Sequence, residues 1–169
     1  LWIADATGAE PRRLTNLELD SLQSPRWSPD GRSIVLAGSR DGEFGLWIVD
    51  AGDGKARRVD TERAAHSPSF SRDGQWLYYA SNQTGQWQIW RRAWPDGASQ
   101  QVTTEGGYAA IESRDGDALY YVRPDRSGLW RRGPAGARSL PTSCASRTPG
   151  AAGPAAARRG GAAPGAARR

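Results

Sequence analysis

Ser24-Pro25-Arg26-Trp27-Ser28-Pro29-Asp30-Gly31 opens a pattern that the chain writes three times. Ser33-Ile34-Val35-Leu36-Ala37 and then Gly45-Leu46-Trp47-Ile48-Val49 complete the first copy. The second reads Ser67-Pro68-Ser69-Phe70-Ser71-Arg72-Asp73-Gly74, Trp76-Leu77-Tyr78-Tyr79-Ala80 and Gln88-Ile89-Trp90-Arg91. The third reads Ala110-Ile111-Glu112-Ser113-Arg114-Asp115-Gly116, Ala118-Leu119-Tyr120-Tyr121-Val122 and Gly128-Leu129-Trp130-Arg131. The Asp-Gly pairs begin at 30, 73 and 115, in steps of 43 and 42. The apolar-Trp pairs end at Trp2, Trp47, Trp90 and Trp130, in steps of 45, 43 and 40. Self-similarity at such a period marks a repeat architecture.

Each unit holds four short runs rich in β-branched and aromatic residues, too short for helices and bounded by turn residues. The fourth run is Arg12-Arg13-Leu14-Thr15, Arg57-Arg58-Val59-Asp60 or Gln100-Gln101-Val102-Thr103. Asp30-Gly31, Asp73-Gly74 and Asp115-Gly116 suit tight hairpins between the first and second strands, because Gly accepts positive φ and Asp bonds its own backbone. Asp53-Gly54 and Asp96-Gly97 are expected to turn the third strand into the fourth. No sustained 3.6-residue apolar period occurs, so helix is not expected. A four-stranded unit of about 42 residues is a propeller blade. The fold class is therefore all-β, a partial β-propeller of about three four-stranded blades with a disordered C-terminal tail.

The last strands of one blade fall in residues 1–16, and the repeats in about 24–61, 67–104 and 109–132. Trp47, Trp90 and Trp130, with Tyr78 and Tyr120, are the expected contacts between neighbouring blades; Trp27 and Trp76 are read as core. After Arg132 no pattern continues, so the third blade is expected without its outer strand. Closed propellers have about four to eight blades. An arc of three leaves two sheet faces uncovered, and Leu1-Trp2-Ile3 reads as the middle of a strand. Both features predict a longer parent protein, with the true N-terminus missing here.

Composition divides the chain at the same place. Residues 1–132 hold all eight Trp, all five Tyr and both Phe, at a net charge of −1. In residues 133–169, Ala, Gly, Pro and Arg occupy 30 of the 37 positions, with 6 Arg and no acid. The overall charge of +5 thus belongs to the tail and marks no nucleic-acid face on the blades. Such a segment has almost nothing to bury and is expected to be disordered. It reads either as a natural basic extension for an acidic partner or as the product of a frameshift in GC-rich coding DNA.

Trp27-Ser28-Pro29-Asp30-Gly31, the apolar strand after it and Gly45-Leu46-Trp47-Ile48-Val49-Asp50 resemble the WD40-like Pro-Asp repeat of TolB-type propellers. The later copies carry Arg72 and Arg114 in place of the Pro. The resemblance covers about residues 1–132. It implies one of three settings: a periplasmic Tol translocation component that binds proteins, the gating propeller of an S9-type prolyl peptidase whose catalytic domain lies elsewhere, or the sensor propeller of a winged-helix regulator. Residues 102–113 are similar to the third group. A periplasmic or extracytoplasmic location follows from the resemblance.

Candidate chemistry is sparse. Cys144 is the single cysteine, so no disulfide or cysteine-based metal site forms within one chain. His66 is the single histidine and reads as a loop or strand-edge residue. No G-x-S-x-G elbow, Walker A loop, dinucleotide fingerprint or EF-hand loop occurs. Asp30, Asp73 and Asp115 share one repeated turn position, which points to structure rather than catalysis or calcium binding. Asn82-Gln83-Thr84 fits a glycosylation sequon and carries no further support. No catalytic residue, cofactor or metal ligand is assigned, and no stretch approaches a membrane span. Trp87 and Trp94, flanking the third strand of the second blade near Arg91 and Arg92, are the candidate protein-contact patch. The reading is a non-enzymatic protein- or peptide-binding module whose blades contact no nucleic acid.

Overall fold

The computed structural model describes residues 1–59, 61, 63–125, 128–133 and 136–139. Within them lie three four-stranded antiparallel sheets and one two-stranded sheet, and no helix. Strands β1 (Trp2–Ile3) and β2 (Arg12–Arg13) pair with each other. The first blade is β3 (Ser21–Trp27), β4 (Ser33–Arg40), β5 (Glu43–Asp50) and β6 (Ala56–Val59). The second is β7 (Ala65–Phe70), β8 (Trp76–Ser81), β9 (Gln88–Ala93) and β10 (Ser99–Gln101). The third is β11 (Tyr108–Glu112), β12 (Leu119–Val122), β13 (Leu129–Gly133) and β14 (Gly136–Ser139). In every blade the strands are hydrogen-bonded in chain order.

The third blade therefore has its fourth strand. β14 pairs with β13 from Trp130↔Ser139 to Gly133↔Gly136. The low-complexity composition hid it, since an outer strand pairs through its backbone and needs few apolar side chains. The expectations for the segment after Ser139, disorder and frameshift alike, lie outside the described residues.

One hydrogen-bond device closes each hairpin between first and second strands. Ser28, Ser71 and Ser113 donate their hydroxyls to Asp30, Asp73 and Asp115 at 2.6, 2.6 and 2.5 Å. The same hydroxyls accept the backbone N–H of Ser33, Trp76 and Ala118. Each carboxylate also accepts the N–H two residues on, from Arg32, Gln75 and Asp117. The repeated aspartate is thus a turn clamp, as its spacing implied. Gly31, Gly74 and Gly116 follow it at φ 70°, 71° and 80°, where a Cβ would be strained.

The blades stack face to face, which explains the continuous apolar runs: a sheet buried on both faces has no polar side to alternate with. Along β4, Ile34 and Leu36 pack with Leu17, Trp47 and Val49 toward the β1–β2 sheet. Val35 and Ala37 pack with Leu77, Tyr79 and Trp90 toward the second blade. Tyr78, Ala80 and Ile89 meet Leu119, Tyr121 and Trp130 at the next junction. Trp47, Trp90 and Trp130 stand opposite Leu36, Tyr79 and Tyr121, and each joins the cluster against the preceding sheet.

Two aromatic assignments change. Tyr120 pairs with Arg131 and lies on the opposite face of β12 from Tyr121, which does the packing. Trp27 is 52% exposed rather than core. It shares its register position with Phe70, but the β1–β2 sheet offers no inner strand for it to meet. Trp2 is likewise 65% exposed.

The first strand of every blade carries a bulge. The pairing shifts by one residue between Gln23 and Arg26, between His66 and Ser69, and between Tyr108 and Ile111. Within each shift sits a non-glycine residue in the left-handed region: Ser24 at φ 50°, Ser67 at 51° and Ala109 at 53°. Bulges of this kind re-aim side chains at strand ends.

Candidate protein-contact face

Antiparallel order puts the β4–β5 and β8–β9 loops at one end of the blades, together with the β6–β7 and β10–β11 connections. Toward this end of the inner strands the residues preceding the three bulges are Gln23, His66 and Tyr108. The His66 ring lies 4.3 Å from the Trp87 ring, tilted by 44°, and 6.4 Å from the Tyr108 ring. Its Nδ1 is 2.9 Å from Ser67 Oγ. Burial between the rings lowers the His66 pKa below the ordinary histidine value, so the imidazole is neutral at pH 7.

A buried polar network holds Trp87 in place. Gln88 is 3% exposed, and its Oε1 accepts Thr103 Oγ1 at 2.8 Å and Gly106 N at 2.9 Å. Thr103 Oγ1 in turn accepts Ile89 N at 2.9 Å. Gly107 N donates to the Trp87 carbonyl at 2.9 Å. The β10–β11 connection is thereby pinned to the Trp87 backbone and the Gln88 side chain. Gly106 sits at φ 88° with Pro124 Cδ 2.7 Å from where a Cβ would be, so only glycine fits the approach. At the same end a groove of about 770 Å³ runs between the first two blades, lined by Phe44, Arg58, Arg63 and Asn82.

The four residues expected to form a patch do not come together. Trp87 belongs to the cluster against the third blade. Trp94 lies beyond the other end of β9, edge-on to Phe70 at 4.8 Å and packed toward the first blade. Arg91 turns toward the third blade: its guanidinium stacks on Trp76 at 4.2 Å and donates to Gln100 Oε1 at 3.2 and 3.3 Å. Arg92, on the opposite face of β9, is 8% exposed. Alternation along β9 divides neighbours in sequence between two faces of one sheet. The ring partner Trp87 does have, His66, and the Tyr108 ring beyond it were missed, although both stand seven residues before an Asp-Gly pair.

Among the described residues no group of three or more His, Cys, Asp or Glu converges to hold a metal. No helix among them is long and apolar enough to cross a membrane.

Comparison with known proteins agrees with this architecture. Residues 1–133 match the TolB beta propeller domain. The Tol-Pal system protein TolB of Nitratidesulfovibrio vulgaris is 34% identical over 59 residues, 35% of this chain and 13% of that protein. A TolB candidate from Agrobacterium tumefaciens superposes with a TM-score of 0.71 at 27% identity, covering 81% of this chain and 54% of the other. TolB from Acinetobacter baumannii gives 0.64 at 23% identity, over 76% and 33%; at that identity the likeness concerns the fold alone. The chain spans about half or less of the length of these relatives. With three repeated blades, a shared turn clamp and a match along residues 1–133, the chain belongs to the TolB β-propeller domain family.

Proposed function

We propose that the chain is a non-enzymatic protein- or peptide-binding module, extracytoplasmic in location, that meets its partner at the loop end where Trp87, His66 and Tyr108 cluster. The observation that carries this reading is the cluster itself: three rings from two blades, set at the loop end and pinned by the Gln88–Thr103–Gly106 network. Aromatic anchors on a rigid support are the usual make-up of a binding hot spot. The Nitratidesulfovibrio relative is named for the Tol-Pal system, so the Pal component is the partner to try first. Isothermal titration of the chain with the soluble part of Pal is expected to give a micromolar Kd, weakened about tenfold or more by Trp87→Ala. Absence of binding by the native chain, or equal binding by the Trp87 variant, counts against the proposal.

A further inference from the structure

The three inner-strand bulges converge on a recess of about 60 Å³, lined by Ser24 and Arg26 of β3, residues 67–69 of β7 and residues 109–111 of β11. It is far smaller than the roughly 300–1,000 Å³ of a small-molecule pocket, so it suits one terminal group of a larger partner. Its lining is short and polar on one side. Ser24 and Ser67 sit at φ 50° and 51°, so the bulge itself sets where their hydroxyls and amides stand. Ser69 Oγ is committed to the Ala110 carbonyl at 2.6 Å, which ties the second and third blades together behind the recess.

Arg26 gives the recess its charge. The inner strands β3, β7 and β11 carry two fully charged side chains between them, Arg26 and Glu112. Glu112 is spoken for: Oε1 accepts the Tyr78 hydroxyl at 3.0 Å and Oε2 accepts Arg72 N at 2.7 Å. The hydrogen bond recorded for the Arg26 side chain runs from Nη1 to the neighbouring Pro25 carbonyl at 2.9 Å. The ion pairs among the described residues, Lys55–Asp53, Arg57–Asp96 and Arg123–Glu105, do not include it. A guanidinium is always charged and presents donors in a planar fork that matches a carboxylate.

We propose that Arg26, with the Ser24 hydroxyl, forms a carboxylate subsite on the inner wall that receives an aspartate or glutamate side chain of a protein partner. The inference deepens the binding reading by giving the partner's chemistry; the recess touches the Trp87 cluster through Ser67 and His66, but its charge is carried by Arg26, outside that cluster, so it can fail alone.

Nuclear magnetic resonance of the full chain tests it, with N-acetyl-glutamate α-amide, its glutamine analogue and acetate as probes. The glutamate compound is expected to give saturable shifts at the Ser24, Ser67 and Ala109 amides and at Arg26 Nε–H. The glutamine analogue is expected to bind at least tenfold more weakly. Arg26→Gln is expected to abolish the shifts while the rest of the spectrum holds, and Arg26→Lys to retain them in weakened form. Shifts that persist in the Arg26→Gln chain, or that the glutamine analogue matches, overturn the subsite. Binding of acetate without the glutamate compound overturns the side-chain source. If the subsite responds as expected while Trp87→Ala leaves Pal binding unchanged, it is the loop-end reading that fails.

Discussion

Tyr78 of the second blade donates its hydroxyl to Glu112 Oε1 of the third at 3.0 Å, from a side chain only 7% exposed. The bond crosses the blade junction beside two others, Ser69 Oγ to the Ala110 carbonyl and Arg72 N to Glu112 Oε2. Burial, followed by the negative charge of Glu112, pushes the phenol up to about 12. A pKa raised in the folded chain means that the folded state holds the proton more tightly than the unfolded state, where tyrosine titrates near about 10. The resulting stability is fully present below pH 10 and is lost as pH rises toward 12. Tyr78→Phe is expected to cost about 1.5–3 kcal/mol at neutral pH, as for a hydrogen bond to a charged group. The same variant should flatten the alkaline limb of a stability–pH curve. An unchanged alkaline limb would show that Tyr78 does not carry the linkage.

Acid acts on the turns instead. Asp30, Asp73 and Asp115 all have pKa values held below the ordinary carboxylate range, first by the Ser hydroxyl and then by a backbone N–H. Depressed values contribute stability above the unfolded aspartate pKa, about 3.9, and that stability is lost as pH falls below it through the folded values. Stability should therefore decline below about pH 4. Removing one clamp with Ser71→Ala leaves Trp76 N–H without its acceptor, at an expected cost of about 1–3 kcal/mol at neutral pH. Urea titrations at pH 7 and pH 3 check both statements; a larger loss at pH 3 than at pH 7 for Ser71→Ala would contradict them, because the clamp is weakest in acid.

The fold was legible because the repeat states it several ways. The Asp-Gly step, the Trp step and the runs buried on both faces all follow from one blade stacked on the next. The Ser–Asp clamp explains why a polar turn recurs as faithfully as the core. What stayed hidden depends on strand facing and on backbone. Arg91 and Arg92 are adjacent in sequence and opposite in space. β14 pairs through main-chain groups that composition does not report. The bulges at Ser24, Ser67 and Ala109 use residues that do not advertise positive φ, so neither the recess beside Arg26 nor the ring cluster at His66 stood out.

Those bulges hold removable strain. Ala109 is exposed, at φ 53°, with no side-chain hydrogen bond to offset the left-handed conformation. That conformation costs an L-residue about 1–2 kcal/mol, against about 0.5–1 kcal/mol of extra chain entropy for glycine. Ala109→Gly is expected to be neutral to stabilising by up to about 1 kcal/mol, and Ala109→Val to be destabilising, since β-branching is worst tolerated there. Thermal melts of the two variants decide it; a Tm for the glycine variant below that of the valine variant would remove the strain argument.

Gln88 supplies a last and sharper test, because its side chain supports Trp87 without forming part of the ring cluster. Gln88→Leu keeps the apolar volume but removes the acceptor shared by Thr103 Oγ1 and Gly106 N, both buried. Each stranded donor costs about 1–3 kcal/mol, so the two together are expected to cost about 2–6 kcal/mol. The connection from Thr103 to Gly107 then loses its anchor, and the Gly107 N to Trp87 O bond loses its fixed geometry. The nuclear Overhauser contacts between the His66 and Trp87 rings should weaken together with amide protection at Gly106 and Gly107. A chain that loses stability yet keeps those ring contacts would show that the indole is held by packing alone, and that the polar network serves the blade rather than the binding face.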